Sequence, residues 1–520
     1  MIKVVTSAEM REMDRHTIED LGVPGVVLME NAGVGTYRVI QKLLAEIPHP
    51  IVYIFCGKGN NGGDGFVIAR HLWDDGARVT VLIVGEEKDI RGDALINFNI
   101  VKNFQIPYFF ITAADQISSH FQEPPNLIVD ALLGTGIQGA VHGLVREVID
   151  FINETDYPVV AVDVPSGLNA DSPQVPGSAI RADLTVTMAL PKRCHLFYPA
   201  RSYVGELYIA DIGIPREVRN ADNVRVQIVE KSDIRLPERP PDSHKYQCGK
   251  VGVLAGSPGY TGAATLTAQA ALRIGAGLVI AAIPEALNPI MESKLTEVIT
   301  RPYPTGKSDS LNNLSLKHLE DFLEWCDVLA IGPGLGRSEE TQRSILQILK
   351  NFNKPAVIDA DALFALANNP HVLDSPHSQW VLTPHHGEFF RFFPAVSREE
   401  RSKIFIELAQ EFSREKQATL LLKGSPSLVV AVEGQVYVNS TGNSGLASGG
   451  TGDVLTGMVA GLMAQGMDAV EASLTANFLH GLCADEVVEE SSVYTLTAGD
   501  LVENFGLVIK KHFFSEEGPS

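Results

Sequence analysis

The chain of 520 residues is poor in cysteine, in basic charge and in long apolar runs. Its five cysteines, Cys56, Cys194, Cys248, Cys326 and Cys483, are odd in number and scattered, with no C-x-x-C among them. That excludes a disulfide framework or a cysteine zinc site and points to a reducing compartment. Lys and Arg total 42 against 63 Asp and Glu, a net charge of −21, which argues against a nucleic-acid partner. No apolar stretch reaches the roughly 18 residues of a membrane span. The first residues, MIKVVTSAEMREMDRHTIED, are too charged for a signal peptide. The expectation is a cytoplasmic protein with no membrane partner. A negative chain can still bind a nucleotide, because backbone N–H groups hold phosphate without side-chain charge.

What is present is glycine at strand ends. Residues 1–215 read as one α/β unit. TSAE, Thr6 to Glu9, has the form of a capping box that starts a helix. IVYIFC (51–56), VTVLIV (79–84), NLIVDALL (126–133), VVAVDV (159–164) and DLTVTMAL (183–190) read as buried strands alternating with helices. That rhythm predicts a parallel sheet covered on both faces. Proline and charge in LPERPPDSHKYQCGK (236–250) mark a connection, placed at 216–245. The α/β rhythm restarts over 246–515, with strands at VGVLAG, LVIAAI, DVLAIG, PAVIDA, WVLTP and ATLLLKG. The prediction is two α/β domains in tandem.

The downstream domain carries TGNSGLASGGTGDVLTG, Thr441 to Gly457, ahead of a mostly apolar helix. A glycine loop at a helix N-terminus offers N–H groups and partial positive charge to an anion. Asp453 is then either a first-turn acid or the base of a phosphoryl transfer, which needs both an anion hole and a proton acceptor. Lys423 in LLKGSPS, Glu388 in TPHHGE and the glycines of GPGLG (332–336) also follow strands, where open α/β sheets bind ligands. TGKS (305–308) imitates a Walker A ending, but Arg301 stands where the motif needs glycine.

GGTGD and TPHHGE resemble the motifs of the ribokinase-like superfamily. With GSPGYTGAA (256–264), GPGLG and LLKG, they are similar to its branch of ADP- or ATP-dependent NAD(P)H-hydrate dehydratases. His385 stands where sugar kinases of that superfamily have asparagine. The resemblance implies dinucleotide contacts at Ala263, Gly334, His385 and Asp453. It implies ADP contacts at Lys423, Gly424, Ser425, Pro426, Ser427 and Gly452, with Mg2+ at the nucleotide and Asp453 as base.

The upstream domain carries GKGNNGGDG, Gly57 to Gly65, after a strand. It formally matches a dinucleotide-binding loop, and Glu86 follows at a distance suited to a ribose contact. Asn60, Asn61 and Asp64 exceed what that loop needs. Asp130, Asp163 and Ser166 also lie at strand ends, and oxygen-only donors favour a hard cation. LGVPGVVLMENAG (21–33), GKGNNGGDG, DALLGTG, DVPSGL and MALPK together resemble NAD(P)H-hydrate epimerases. Both domains in this order resemble the bacterial bifunctional NAD(P)H-hydrate repair enzymes.

That resemblance implies a Rossmann-like three-layer α/β/α domain followed by a ribokinase-like α/β domain. It implies substrate contacts at Asn60, Asn61, Gly62, Gly63 and Asp64, and at Gly134, Thr135, Gly136, Ile137, Gln138, Gly139 and Ala140. It further implies potassium on Asn61, Asp130 and Ser166, and Asp163 at the substrate as the candidate epimerisation base, with Lys192 a weaker partner that reads more readily as a surface or phosphate lysine. The expected ligands are hydrated NADH or NADPH and ADP, and the expected assembly is a homo-oligomer. Two rivals remain open: a kinase for a vitamin or pyrimidine alcohol with a dinucleotide-binding module, and a non-catalytic binding role for the upstream domain.

Overall fold

A computed structural model describes residues 1–514 apart from 309, 375, 376 and 378. Residue 515, the last of the expected second domain, lies outside the described residues. The chain divides into two compact units, Ile2–Arg225 and Val226 onward.

In the first unit, β1 (Ile2–Val4) leads into the helix Ser7–Arg15, started by the Thr6–Glu9 capping box. The sheet contains β2 (Ile51–Cys56), β3 (Arg78–Val84), β4 (Tyr108–Ile111), β5 (Leu127–Ala131), β6 (Val159–Val162), β7 (Leu184–Met188) and β8 (Glu206–Ala210). Their order is β4-β3-β2-β5-β6-β7-β8, all parallel. The two-residue period of a strand makes both faces apolar. Val52, Ile54 and Cys56 pack under the helices Gly25–Leu43 and Asn60–Asp74, while Tyr53 and Phe55 pack on the other side with Val148, Ile149 and Ile152. This is the expected three-layer arrangement. Sequence reading passes over β4 and β8. They are edge strands whose exposed residues, such as Phe109, Tyr208 and Ile209, break the continuous burial that marks the inner strands.

The second unit contains β9 (Val226–Ile228), β10 (Lys250–Leu254), β11 (Leu278–Pro284), β12 (Ile299–Tyr303), β13 (Val328–Ile331), β14 (Ala356–Ile358), β15 (Trp380–Leu382), β16 (Thr419–Leu422), β17 (Leu428–Val430) and β18 (Val436–Val438). They run β9-β18-β17-β16-β15-β14-β13-β10-β11-β12. From β16 to β12 the neighbours are parallel; β17 returns antiparallel to both β16 and β18. The segment 216–245, read from composition as a connection, holds a short helix Arg216–Arg219 and then β9, which pairs with β18. A three-residue strand with a glutamine at its centre is too short a signal to read from sequence.

The helix Thr451–Ala464 is buried along nearly its whole length, as its apolar sequence predicts, and packs against the helix Thr261–Arg273. A Cβ at Gly457 would stand 2.1 Å from the Thr267 carbonyl oxygen, so the two backbones approach too closely for any side chain there. Gly457→Ala is expected to destabilise the second unit by about 1–3 kcal/mol, the usual cost of overpacking. A urea unfolding midpoint equal to wild type would contradict that.

Candidate functional sites

In each unit, strand order reverses at one point. Open α/β sheets bind ligands beside the carboxyl ends of the two flanking strands at such a point. In the first unit the reversal lies between β2 and β5. After β2 comes GKGNNGGDG, whose second half starts the helix Asn60–Asp74. The turn is tight: a Cβ at Gly62 would lie 1.9 Å from the Gly57 carbonyl oxygen. Its first-turn N–H groups open into a cleft of about 620 Å³ lined by Asn60, Asn61, Asp64, Gly134, Thr135, Gly136, Ile137, Asp163 and Lys192. Gly62 and Gly63 support the turn from within, both buried. Gln138, Gly139 and Ala140 continue the loop at the exposed rim, with the Gln138 carbonyl accepting from Asn169. Glu86 is exposed, pairs with Lys88 and is not among the residues lining the cleft.

Asn61, Asp130 and Ser166 converge behind the cleft. Asn61 Nδ2 donates to the Leu133 carbonyl at 3.0 Å. Ser166 Oγ accepts from Leu133 N–H at 2.9 Å and donates to Asp130 Oδ1 at 2.6 Å. Asp130 also accepts from the Ser166 N–H at 2.8 Å and the Leu132 N–H at 3.2 Å. The Asp130 side chain is wholly buried, and burial pushes its carboxyl up to about 6 although these hydrogen bonds oppose it. No cationic side chain faces it among the described residues. A buried carboxylate ringed by oxygens and lacking a countercharge suits a hard cation.

Asp163 follows β6 with φ +65, a left-handed conformation that aspartate tolerates better than most residues. Its Oδ1 accepts from Lys192 Nζ, from Thr187 Oγ1 at 3.1 Å and from Met188 N–H at 3.1 Å. Burial raises this carboxyl, but the Lys192 charge and these hydrogen bonds outweigh it and hold it below its ordinary value. Asp163 is therefore the ionised carboxylate of the cleft. Lys192 corrects the surface reading: it is fully buried, its ammonium also donating to Thr187 Oγ1 at 2.8 Å and the Met188 carbonyl at 3.1 Å. A lysine after a short strand gives no sign of burial. Only the fold brings the two loops together.

In the second unit the reversal lies between β10 and β13. GSPGYTG after β10 meets GPGLG after β13: a Cβ on Gly334 would stand 3.2 Å from that of Ala263, and Ser257 Oγ donates to the Gly334 carbonyl at 2.7 Å. The ends of the parallel strands β14, β15 and β16 bring Asp359, His385 and Lys423 to the same edge. His385 Nδ1 accepts from Gly387 N–H at 2.9 Å and caps the short helix His386–Phe389, leaving the proton on Nε2 in a mostly exposed ring. Glu388 is buried and accepts the His385 N–H at 3.1 Å. Ser427 closes the loop after β16 by donating to the Gly424 carbonyl at 3.1 Å, with Ser425 and Pro426 between them.

Lys423 Nζ donates to Asp359 Oδ1 at 2.7 Å, and Thr456 Oγ1 donates to Asp359 Oδ2 at 2.8 Å. A Cβ on Gly452 would lie 3.3 Å from Lys423 Nζ, so the ammonium reaches the N-terminus of the helix Thr451–Ala464. Gly450 supplies the left-handed entry to that helix, with φ +96. Asp453 sits in its first turn. Burial, then the nearby Asp359, push its carboxyl up to about 7, against the pull of Lys423. A helix N-terminus, an ammonium and a carboxylate titrating near neutrality form an anion site with a base beside it. Sequence reading overlooked Asp359 and Thr456. The strand PAVIDA carried the first, but Thr456 lies inside a buried helix and only packing links it to the site.

Two family profiles match the chain: YjeF-related protein N-terminus over residues 25–194, and NAD(P)H-hydrate dehydratase over residues 251–505. The chain is 41% identical over 519 residues to the bifunctional NAD(P)H-hydrate repair enzyme Nnr of Moorella thermoacetica, a match covering 98% of this chain and 96% of that one. It is 34% identical to the enzyme of the same name from Coxiella burnetii, covering 98% of this chain and 100% of that one. Among solved structures it is similar to the ADP/ATP-dependent NAD(P)H-hydrate dehydratase from Bacillus subtilis, co-crystallised with ATP and Mg2+, at 33% identity over 56% of this chain and 100% of that chain, with a TM-score of 0.48.

Proposed function

The chain belongs to the family of bifunctional NAD(P)H-hydrate repair enzymes, and we propose that it repairs hydrated NADH and NADPH in two steps, one in each α/β domain. Residues 1–215 form the epimerase, which interconverts the R and S hydrates. Residues 216–245 connect it to the dehydratase, 246–515, which restores the reduced nicotinamide from the S form. The observation that carries this reading is the pairing, in one chain, of two strand-end sites, each holding a carboxylate of the type its reaction needs.

The damaged ring carries a hydroxyl on C6. Inverting that carbon requires a group that holds or takes a proton beside it. Asp163, kept ionised by buried Lys192, is that base. Asn60 to Asp64 and Gly134 to Ala140 hold the dinucleotide, with the helix N-terminus at Asn60 facing its phosphates. Asn61, Asp130 and Ser166 fit potassium by the oxygen character of the set and the uncompensated Asp130. The ion would fix the loops after β5 and β6.

In the dehydratase, hydroxide is a poor leaving group. Phosphorylation of the hydroxyl converts it into a good one. Asp453 takes the hydroxyl proton, and the N–H groups of Gly450 to Gly452 stabilise the transferring phosphoryl. Phosphate then leaves, displaced by electron donation from the ring nitrogen. We assign ADP as the phosphoryl donor, giving AMP and phosphate, with Lys423 to Ser427 and Gly452 around it. Ala263, Gly334 and His385 hold the substrate, the last through its Nε2–H. Mg2+ accompanies the nucleotide, and buried Glu388 is placed to hold one of its waters. The same reading makes the protein a cytoplasmic homo-oligomer; no helix among the described residues is long and apolar enough to cross a membrane.

The test is a mixed R and S NADH-hydrate sample with ADP, magnesium and potassium. Complete recovery of NADH with one AMP per turnover is expected. Recovery that stops at the S fraction would make the first domain a binder. A stable phosphorylated product would make the second domain a kinase.

A further inference from the structure

The epimerase cleft holds more acid than its proposed base explains. Four carboxyl side chains line it, Asp14, Asp64, Asp93 and Asp163, together with Lys58 and Lys192. Lys192 is spent on Asp163, and Lys58 pairs with Asp89. Asp64 is 9% exposed and Asp14 is half-buried, and neither side chain has a hydrogen bond or ion pair among the described residues. Like charges this enclosed cannot all ionise, so the cleft retains at least one proton near neutrality. Asp14 and Asp64 both lie within electrostatic reach of Asp163, and they differ in access. Asp64 lies just beyond the first turn of the helix Asn60–Asp74, where burial, then the charges of Asp163 and Asp14, hold its carboxyl well above the ordinary carboxylate value. Asp14 lies on the helix Ser7–Arg15, which forms a separate wall of the cleft with Met10 and Ile18. Burial lifts it to about 6, within reach of solvent protons.

Resting on the epimerase reading above, we infer that Asp14 is the second proton-transfer group of that reaction, working across the ring from Asp163. Its carboxyl proton passes to the C6 hydroxyl. The C6–O bond breaks with its electron pair on the departing water, and the ring nitrogen lone pair forms the C=N bond. Water adds to the opposite face of C6, the electron pair of the C=N bond returns to nitrogen, and Asp163 accepts the proton released. In the reverse direction the two carboxyls exchange roles. No oxidant or further reactant is consumed. Pairing an ionised carboxylate with a protonated one is how a site runs acid and base chemistry together at one pH.

The test uses the full chain and purified (R)-NADH-hydrate in H2(18)O, following appearance of the S form and label in the ring hydroxyl. In wild type, each inversion is expected to incorporate label. Asp14→Asn is expected to slow inversion and labelling together by about 100-fold or more. At pH 8, where Asp14 is ionised, the variant's melting temperature should equal or exceed that of wild type, because a poorly compensated half-buried charge is removed. Asp14→Glu should restore part of the rate. Dehydration of the S form by the second domain serves as the internal control. Inversion at the wild-type rate in Asp14→Asn overturns the assignment. So does a well-folded Asp14→Glu as slow as Asp14→Asn, or inversion without label. Wild type that never inverts the R form overturns instead the epimerase reading on which the inference rests.

Discussion

Asp453→Asn is expected to reduce dehydration of S-NADH-hydrate by about 10²–10⁴-fold, the range a positioned proton acceptor contributes. Nucleotide binding should persist or tighten, because Lys423 and the helix N-terminus remain and a negative charge is lost. The sign of a second effect follows from the same carboxyl. Its folded value of about 7 lies above its ordinary value, so the native state binds more protons than the unfolded chain between roughly pH 4 and 7. This group therefore costs stability as pH rises through that window, and the cost is complete above it. The asparagine variant should melt higher than wild type at pH 8 and equally near pH 4. Wild-type dehydration should rise with pH up to about 7 and flatten above, since only the deprotonated group accepts a proton. Retained turnover in the variant would remove Asp453 from the chemistry. A flat wild-type profile from pH 5 to 8 would show that another group carries the titration.

Lys192→Met is the second large effect, and it acts on both stability and epimerisation. Breaking a buried ion pair by removing one partner costs about 3–5 kcal/mol, because the other charge is left uncompensated. Here the partner left behind is Asp163, whose side chain is 14% exposed and whose ionisation depends on Lys192. Without the ammonium, burial and the neighbouring Asp64 and Asp14 drive it to protonate. The base is lost although its residue remains. Epimer exchange should fall by about 100-fold or more. Asp163→Asn should abolish exchange as well, by the opposite route. The double variant Lys192→Met with Asp163→Asn discriminates: it should regain much of the lost stability while remaining inactive, since the two residues form one coupled unit. Additive unfolding energies would show that the pair is not the stabilising element the geometry indicates. Near-normal exchange in Asp163→Asn would remove it as base.

How far sequence reading reached depended on how local each signal was. Inner strands such as Ile51–Cys56 and Val328–Ile331 were legible because both faces are buried, and continuous apolar runs record that directly. The edge strand Ile299–Tyr303 was not, because its proline and arginine are tolerated where one side has no neighbour. Loops such as GKGNNGGDG and GGTGD declared themselves because a tight turn against a ligand demands glycine at fixed spacing. Asp14, Asp359 and Thr456 gave no such signal. Each is an ordinary residue on an ordinary helix or strand end.

The sequence by itself determined two α/β domains, their glycine loops, the family and the principal acids Asp163 and Asp453. The domains and loops rest on periodicity and on backbone conformations that few residues can adopt; the family and the two acids rest on the resemblance of the motifs. The tertiary structure alone decided the protonation states. Lys192 holds Asp163 ionised because two separate loops close on one another. Asp359 raises Asp453 because β14 ends beside the helix Thr451–Ala464. Charge states follow from burial and from distances between residues far apart in the chain, and these exist only once the sheets have formed.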